Sequence, residues 1–368
     1  MAGSRNIPMN QLFMIMMLTA GLTNHVMIIP VLVEKSGRDS WITIILSAFL
    51  FLPMIVLTYG IIHKMGNRTI TQALEESSGK WARLLIVSMS GLYFFMFAFY
   101  TLKEVIDWTK STYMIQTPVI ATTLLLIILC YITVNHGMKT IGISAGILLP
   151  IVVLLGIFVS LANQRNKNYS YLLPVLEDGF LPVLSGLPVM FGGLSQCVFL
   201  LFLRPHLQKK PRFAVVLLMH AAFIFLTFGP TIGGLTEFGP DEMQLQRYPA
   251  YEQWRLVKMG KFVEHVDFLS IFQWLSGAYI SISVSIYLLK ENLFPTTKQK
   301  AGVLAVSTLL VILCVSPISN LKMYYAIADY FLPLSAVYIT MLSLLMFLLI
   351  RKTPKEHHSS SMKGETEP

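Results

Sequence analysis

Apolar runs long enough to cross a lipid bilayer recur along nearly the whole chain, and this pattern constrains its fold more than any other feature. A hydrophobic stretch of about 17 to 25 residues spans a membrane when it forms an α-helix. Of the 368 residues, 55% are hydrophobic and 13% are charged, and the mean hydropathy is +0.65. A soluble domain of average composition carries about twice that charged fraction. We therefore predict an all-α integral membrane protein.

The apolar runs between charged and turn residues predict ten transmembrane helices. The spans lie near residues 8–33, 41–63, 83–106, 117–135, 140–161, 183–203, 213–235, 266–289, 301–316 and 330–350. The ninth run is short and stops at Pro317, so nine or eleven crossings are the alternatives. Residues 1–350 are expected to form one membrane domain. Residues 351–368 are polar and are expected to form a disordered cytoplasmic tail.

The excess of basic over acidic residues is attributed to the orientation of the chain in the membrane. The formal net charge is +9, and the Lys and Arg residues lie mostly in short gaps between apolar runs. Cations in such gaps orient a membrane protein with its more basic side in the cytoplasm. More of them fall on the side that holds both termini, so we expect cytoplasmic termini. The expected surroundings are membrane lipid, and no nucleic acid partner is predicted.

No sequence signature of catalysis or of a bound metal or cofactor is evident. Metalloprotease, P-loop, dinucleotide and nucleophile-elbow motifs do not occur in the sequence. The cysteines Cys130, Cys197 and Cys314 lie inside apolar runs, where a thiol behaves as a small hydrophobic group. We predict that the chain is not an enzyme, and that it binds or transports a small molecule.

Spans 1 and 6 contain residues that disfavour a continuous helix. These residues are Gly21, Thr23, Asn24, His25 and Pro30 in span 1, and Gly186, Pro188, Gly192 and Gly193 in span 6. The two spans open the halves of a five-plus-five arrangement, with repeats over about 8–161 and 183–350. In inverted-repeat transporters, discontinuous helices in corresponding positions form the binding site near the bilayer midplane. The alternative is a pair of kinks that serve close helix packing.

Interrupted helices offer backbone N–H and C=O groups to a zwitterionic ligand. We therefore predict a small-ligand site with the following members in spans 1 and 6: Gly21, Thr23, Asn24, Gly192, Gly193 and Ser195. Tyr100 of span 3 and Ser283 of span 8 are added as candidates. Tyr100 shares a helix face with Tyr93, and Ser283 shares one with Tyr279. Packing within the bundle is the alternative for both.

Charged residues near the outer end of span 3, and a segment of the longest loop, are interpreted as structural. Lys103, Glu104 and Asp107 lie near the outer end of span 3, where a solvated end or a structural ion pair is expected. In the longest loop, Tyr251, Trp254 and Val257 lie at helical spacing and predict a surface helix at the outer interface. The expected role of this helix is packing on the outer side, with a ligand gate or partner surface as the alternative.

Several segments of the chain resemble the B subunits of bacterial spore germinant receptors, the endospore germination permease family. They are IPMNQLFMIMM and SGRDSWIT near the N-terminus, LLPVLEDGFLPVLSG before and within span 6, and YPAYEQWRLVKMGKFVEHVDFL before span 8. The family belongs to the amino acid, polyamine and organocation transporter superfamily. The resemblance implies a ten-helix inverted-repeat fold and a location in the inner membrane of the bacterial spore. It also implies assembly with an A subunit and a lipoprotein C subunit.

The resemblance implies that the chain senses a small germinant such as an amino acid, a sugar or a nucleoside. We expect a germinant-sensing receptor subunit that binds its ligand, most readily an amino acid, at the interrupted helices and triggers germination. The alternative is an amino-acid transporter that releases its cargo into the cytoplasm. A channel for ions or solutes is a third class.

Overall fold

The computed structural model describes residues 7–258 and 265–351. Within those two ranges the chain is helical, and its β-type pairing is a single bridge between Ile7 and Leu207. Nine helical segments in this part of the chain are long and apolar enough to cross a membrane. The first of them covers residues 9–65, which is far more than one crossing needs. It turns at Gly37, where φ is +54°, and contains two spans. The described residues therefore contain ten spans.

The first half of the fold contains spans 1 to 5. Span 1 comprises the α-helices Met9–Leu22 and Ile28–Ser36 with the π-helix Thr23–Met27 between them; span 2 comprises Ser40–Leu50 and Leu52–Met65; spans 3, 4 and 5 are Ile70–Thr112, Val119–His136 and Met138–Ala162. Short 3-10 helices, Gly37–Asp39, Asn163–Asn166 and Tyr169–Leu172, lie in the connections.

The second half contains spans 6 to 10. Span 6 comprises the α-helices Leu181–Ser185, Leu187–Leu194 and Val198–Leu203 with the 3-10 helices Ser195–Cys197 and Arg204–His206; spans 7, 8 and 9 are Phe213–Phe238, Leu269–Leu293 and Gln299–Val315; span 10 comprises Asn320–Tyr325, the π-helix Ala326–Phe331 and Leu332–Leu349. The loop after span 7 carries the helices Pro240–Leu245 and Pro249–Arg255, and the 3-10 helix Thr296–Lys298 precedes span 9.

Two spans begin earlier than hydropathy alone predicts. Span 3 starts at Ile70 and bends at Gly79, where φ is +83°. Its first turns are polar and begin with a capping box in which the side chain and backbone of Thr69 pair with Gln72. Span 10 starts at Asn320, because residues 320–331 carry polar and aromatic side chains that lower their hydropathy. Both of these early helical segments lie outside the apolar runs from which the spans were predicted.

The first and last described residues, Ile7 and Arg351, lie on one side of the bundle, which we call the termini face. The backbone N–H of Ile7 donates to the carbonyl of His206 at 2.8 Å. Arg68 donates to the carbonyl of Arg351 at 2.9 Å, and Arg204 donates to that of Gly66 at 3.1 Å. The two ends of the described chain are therefore held at the same side of the bundle.

The opposite side, the distal face, is covered by the long loops. Asn163 donates to the carbonyl of Gln253 at 2.7 Å, and the indole of Trp254 donates to Gln273 at 2.9 Å. The predicted loop helix is present as Pro249–Arg255, with Trp254 buried against spans 5 and 8. Val257 is also buried but follows the end of the helix. The remainder of that predicted helix, residues 259–264, and the predicted disordered tail after Arg351 lie outside the described residues.

Burial separates an inner group of spans from an outer group. Span 6 has the largest buried share of all candidate spans and span 8 the next largest, whereas span 5 has the smallest. Residues 15–33 of span 1 are buried except at Gly21 and His25. A helix at the edge of the bundle exposes apolar side chains to lipid, whereas a helix at the centre is buried on all sides. Spans 1, 6 and 8 therefore form the centre of the bundle. The irregular segments of spans 1 and 6 lie in this centre.

Candidate functional site

The irregular segment of span 1 is the π-helix Thr23–Met27. Asn24 lies within it and is fully buried. Its side-chain N–H group donates to the carbonyl of Ala20 at 3.1 Å and lies 3.5 Å from that of Gly193 in span 6. Single π-turns inside α-helices occur frequently at functional sites. The predicted interruption of span 1 thus takes the form of a wider helical turn, and Asn24 joins it to span 6.

The irregular segment of span 6 is the 3-10 turn Ser195–Cys197. The hydroxyl of Ser195 donates to the carbonyl of Gly192 at 2.6 Å. It also shares a hydrogen bond with the hydroxyl of Tyr93 in span 3, at 3.3 Å. Asn24 therefore connects the π-turn of span 1 to span 6 at Gly193, and Ser195 connects the 3-10 turn of span 6 to span 3 through Tyr93.

The glycines of span 6 allow two neighbouring helices to approach closely. A Cβ atom at Gly193 would lie 2.0 Å from Cδ1 of Ile28 and 2.6 Å from Oδ1 of Asn24. A Cβ atom at Gly192 would lie 2.3 Å from the backbone oxygen of Leu332 in span 10. Real Cβ atoms do not come this close to other atoms. Spans 1, 6 and 10 can meet here because both positions lack a side chain.

One face of span 1 near the π-turn is less tightly packed. Gly21 and His25 are one helical turn apart and are half-buried, whereas the residues between them are buried. A Cβ atom at Gly21 would meet no atom within 4 Å. Nδ1 of His25 lies 3.1 Å from the carbonyl of Leu226 in span 7. Span 1 therefore borders open space at the level of its irregular turn.

The candidates from spans 3 and 8 lie in different surroundings. The ring of Tyr100 lies 4.4 Å, centre to centre, from that of Phe331 at the end of the π-helix in span 10. Phe331 also stacks on Tyr93, at 6.4 Å, so Tyr100 is connected to the turn of span 6. The hydroxyl of Ser283 lies beside the thiol of Cys130 in span 4. The structure therefore places Tyr100 next to the site and Ser283 on the side of span 8 that faces span 4.

Two residues that were not predicted contact the site. The hydroxyl of Ser281 in span 8 donates to the carbonyl of Gly277 at 2.7 Å and lies 3.1 Å from the carbonyl of Thr19 in span 1. The hydroxyl of Thr227 in span 7 lies 3.5 Å from Oδ1 of Asn24. Serines alternate along span 8, so their spacing does not show which of them faces span 1. Thr227 carries no distinguishing sequence signal.

The charged residues of span 3 form buried ion pairs. Lys103 and Asp107 are 2.9 Å apart, with less than a tenth of each side chain exposed. Glu104 is also buried and pairs with Arg247 of the distal loop at 2.5 Å. Burial raises the pKa of the adjacent Tyr248 hydroxyl, as does the charge of Glu104, so this hydroxyl stays protonated. Of the two interpretations of these residues, the structure supports ion pairing.

In the part of the chain that the structure describes, ten spans pack around a centre in which spans 1 and 6 are irregular, and this arrangement is the five-plus-five inverted-repeat fold that many transporters share. The crystal structure of MhsT in complex with L-phenylalanine is similar, with a TM-score of 0.62, 15% identity, and coverage of 92% of this chain and 95% of that one. A Na⁺-coupled sialic acid symporter in a substrate-bound outward-open state has a TM-score of 0.60 at 12% identity, over 94% of this chain and 79% of that one. The predicted fold class is confirmed. The boundaries of the two repeats stay predictions.

The chain belongs to the spore germination protein family, whose sequence signature matches residues 6–322. Spore germination protein XB of Bacillus anthracis is 38% identical over 344 residues, which cover 92% of this chain and 96% of that protein. Spore germination protein KB of Bacillus subtilis is 22% identical over 76% of each chain. The predicted family is therefore confirmed. The chain is a multi-pass membrane protein of spore germination, and its relatives are not enzymes, as the sequence predicts.

Proposed function

We propose that this chain is the germinant-binding membrane subunit of a spore germination receptor. The observation that carries the proposal is the contact between the π-turn of span 1 and span 6, where the side chain of Asn24 lies 3.5 Å from the carbonyl of Gly193, two residues before the 3-10 turn. This contact lies at the centre of the bundle, and Gly21, which borders open space, lies about one helical turn before Asn24 in span 1. A ligand that binds there would touch both central helices and bias their relative position.

The ligand class that best fits this site is an amino acid. Backbone groups at interrupted helices recognise carboxylate and ammonium groups, and few charged side chains are needed. The structurally similar MhsT was crystallised with L-phenylalanine. A germinant would trigger germination by binding one conformation of spans 1 and 6 more tightly than another, since only such a difference in affinity shifts their equilibrium.

The proposal also covers the membrane in which the chain lies, its orientation there and two partner subunits. We place the chain in the inner membrane of the spore, with the termini face towards the cytoplasm. There it would assemble with an A subunit and a lipoprotein C subunit. The membership in a spore germination family supports this setting. The basic residues near the termini support the orientation.

Replacing Gly21 with alanine tests the ligand site without disturbing packing. The added methyl group meets no protein atom within 4 Å, and alanine favours the helix by up to about 1 kcal/mol. The thermal stability of the purified protein should therefore be unchanged or higher. If the open space holds the ligand, the stabilisation produced by an amino acid from a panel should be lost or should require at least about tenfold more ligand.

The matched control is Gly229→Ala in span 7, which also has no neighbour within 4 Å of an added Cβ atom. Melting temperatures of both variants would be measured with L-amino acids, sugars and nucleosides. Ligand stabilisation of the Gly21 variant equal to that of the Gly229 variant would contradict the proposed site.

A transporter is the second candidate function, because the fold is shared with MhsT, which was crystallised with L-phenylalanine, and with a Na⁺-coupled sialic acid symporter. Uptake into proteoliposomes separates the two functions. A receptor binds its ligand without sustained accumulation, whereas a transporter accumulates the ligand against its gradient when an ion gradient is applied. Gradient-driven accumulation that disappears in a Gly192→Ala variant would establish transport.

A further inference from the structure

A buried polar cluster joins the distal ends of spans 5 and 7. We call it the distal polar cluster, and its side chains are those of Asn163, Glu237, Gln253 and Lys167. Asn163 is fully buried in the connection that follows span 5, and the side chain of Glu237, in the last turn of span 7, is 1% exposed. Gln253 is also buried and belongs to the loop helix Pro249–Arg255. Three separate segments of the chain therefore bring polar side chains to one buried position.

The hydrogen bonds of Asn163 leave its side-chain oxygen without a partner. Its side-chain N–H group donates to the carbonyl of Gln253 at 2.7 Å and lies 3.4 Å from Oε2 of Glu237. Because a carbonyl can only accept, the amide nitrogen must face Gln253, and Oδ1 is the atom that is left over. Within the described residues, Oδ1 of Asn163 and Oε1 of Glu237 are buried and receive no hydrogen bond. Two such oxygens on side chains in contact indicate that a positive partner belongs there.

The charge of Glu237 is weakly compensated. Nζ of Lys167 lies 3.9 Å from Oε1 of Glu237, whereas a charge-assisted hydrogen bond is about 2.7–2.9 Å long. The lysine donates instead to the backbone carbonyl of Ser160, at 3.3 Å. The C-terminal ends of spans 5 and 7 add partial negative charge, and neither helix has a basic residue in its last turn. The distal polar cluster is therefore electronegative.

The unpartnered atoms of the cluster are of the kind that binds a hard metal cation. They are a carboxylate oxygen and an amide oxygen, and backbone carbonyls of two helix ends lie in the same segments. Ca²⁺ accepts about six to eight such oxygens in a flexible geometry, whereas Mg²⁺ requires a nearly ideal octahedron. Oxygens supplied by separate segments therefore suit Ca²⁺ better. Lys167 lies in an exposed connection, so its ammonium group can move into water when a metal ion enters.

We propose that the distal polar cluster is a binding site for Ca²⁺. Glu237 and Asn163 supply side-chain ligands, and Lys167 compensates the carboxylate when no metal ion is bound. The bound ion holds the ends of spans 5 and 7 to the loop helix, because Asn163 also donates to Gln253. Calcium therefore stabilises the distal face of the protein.

Calcium binding can be measured without a germinant, because the cluster lies away from the candidate ligand site. Glu237 follows Thr227, which contacts Asn24, by ten residues, or about 15 Å along the helix axis. The purified protein in nanodiscs of zwitterionic lipid would be titrated with calcium chloride, with choline chloride holding the ionic strength constant. We expect a saturable rise in melting temperature, and a smaller one with magnesium chloride. No rise, or an equal rise with both salts, would overturn the proposal.

Glu237→Gln should abolish the rise in melting temperature with calcium, because glutamine retains the shape of the side chain but not its charge. The matched control is Glu104→Gln, which also removes a buried carboxylate with a basic partner, Arg247, outside the cluster. The control variant should keep the full rise. A rise of wild-type size in the Glu237 variant would contradict the site.

Lys167→Gln distinguishes a metal site from a structural ion pair. If the lysine competes with the metal ion, its removal should lower the calcium concentration for half-maximal stabilisation at least about tenfold, since a unit charge near the site is lost. A purely structural pair predicts a lower melting temperature that calcium does not restore, and this result would overturn the proposal. The variant retains both proposed ligands, so it decides the question even if Glu237→Gln is not recovered in folded form.

Discussion

Replacing Gly192 with alanine is expected to abolish the response to germinant. The new methyl group would lie 2.3 Å from the carbonyl oxygen of Leu332, and the carbonyl carbon of that residue would be 2.7 Å away. Both are backbone atoms, so a change of side-chain rotamer cannot relieve the contact. Spans 6 and 10 must separate, and overpacking of this kind costs about 1–3 kcal/mol. The separation would displace Ser195 and its contact with Tyr93. The measurement is the germinant concentration for half-maximal release of spore contents.

Gly193→Ala provides a graded comparison for the same helix. Its methyl group would meet the end of the Ile28 side chain, which can rotate away, and Oδ1 of Asn24 at 2.6 Å. We expect a smaller shift in sensitivity than for Gly192→Ala. Gly229→Ala should have no effect, because no atom lies within 4 Å of its added Cβ. Normal sensitivity of the Gly192 variant at normal protein levels would contradict the role of the span 6 turn.

The second large effect is expected for Asn24→Leu. Leucine has the same branching as asparagine but cannot donate to the carbonyls of Ala20 and Gly193 or accept from Thr227. A buried polar group that loses its partner costs about 1–3 kcal/mol. The π-turn of span 1 would lose its connection to span 6, and germinant sensitivity should fall by at least about tenfold.

Thr231→Val is the matched control for that substitution. The hydroxyl of Thr231 is also buried in the bundle, but it donates to the carbonyl of Thr227 in its own helix, at 2.7 Å. Removal of the Thr231 hydroxyl should change the germinant sensitivity little, because the carbonyl of Thr227 also lies within the hydrogen-bonded backbone of span 7. Equal effects of the Asn24 and Thr231 substitutions would mean that the loss reflects general destabilisation and not the contact between spans 1 and 6.

The positions of the ten spans follow from the sequence because a bilayer imposes length and apolarity on each crossing. The early starts of span 3 at Ile70 and of span 10 at Asn320 could not be predicted from hydropathy. Both segments contain polar side chains, and such segments can be helical without forming an apolar run. The interruptions in spans 1 and 6 were predicted from Gly21, Asn24, Gly192 and Gly193. Their form as a π-turn and a 3-10 turn depends on neighbouring helices.

The sequence could predict the part of the candidate site that the interrupted helices form. Gly193 and Asn24 were identified through the unusual composition of their spans, and the structure brings them together. The face of span 8 that meets span 1 could not be deduced, because Ser281 and Ser283 occur in the same alternating pattern. The pairing of Glu104 with Arg247 joins residues 143 positions apart in the chain and is visible only in three dimensions.

Germination of spores that lack this chain is the most direct test of the central claim, that it binds a small germinant and triggers germination. The host would lack other members of the family, and release of spore contents would be scored with amino acids, sugars and nucleosides. We predict loss of the response to amino acids, restored by the wild-type chain and not by the Gly192→Ala variant. An unchanged response to every compound would contradict the account.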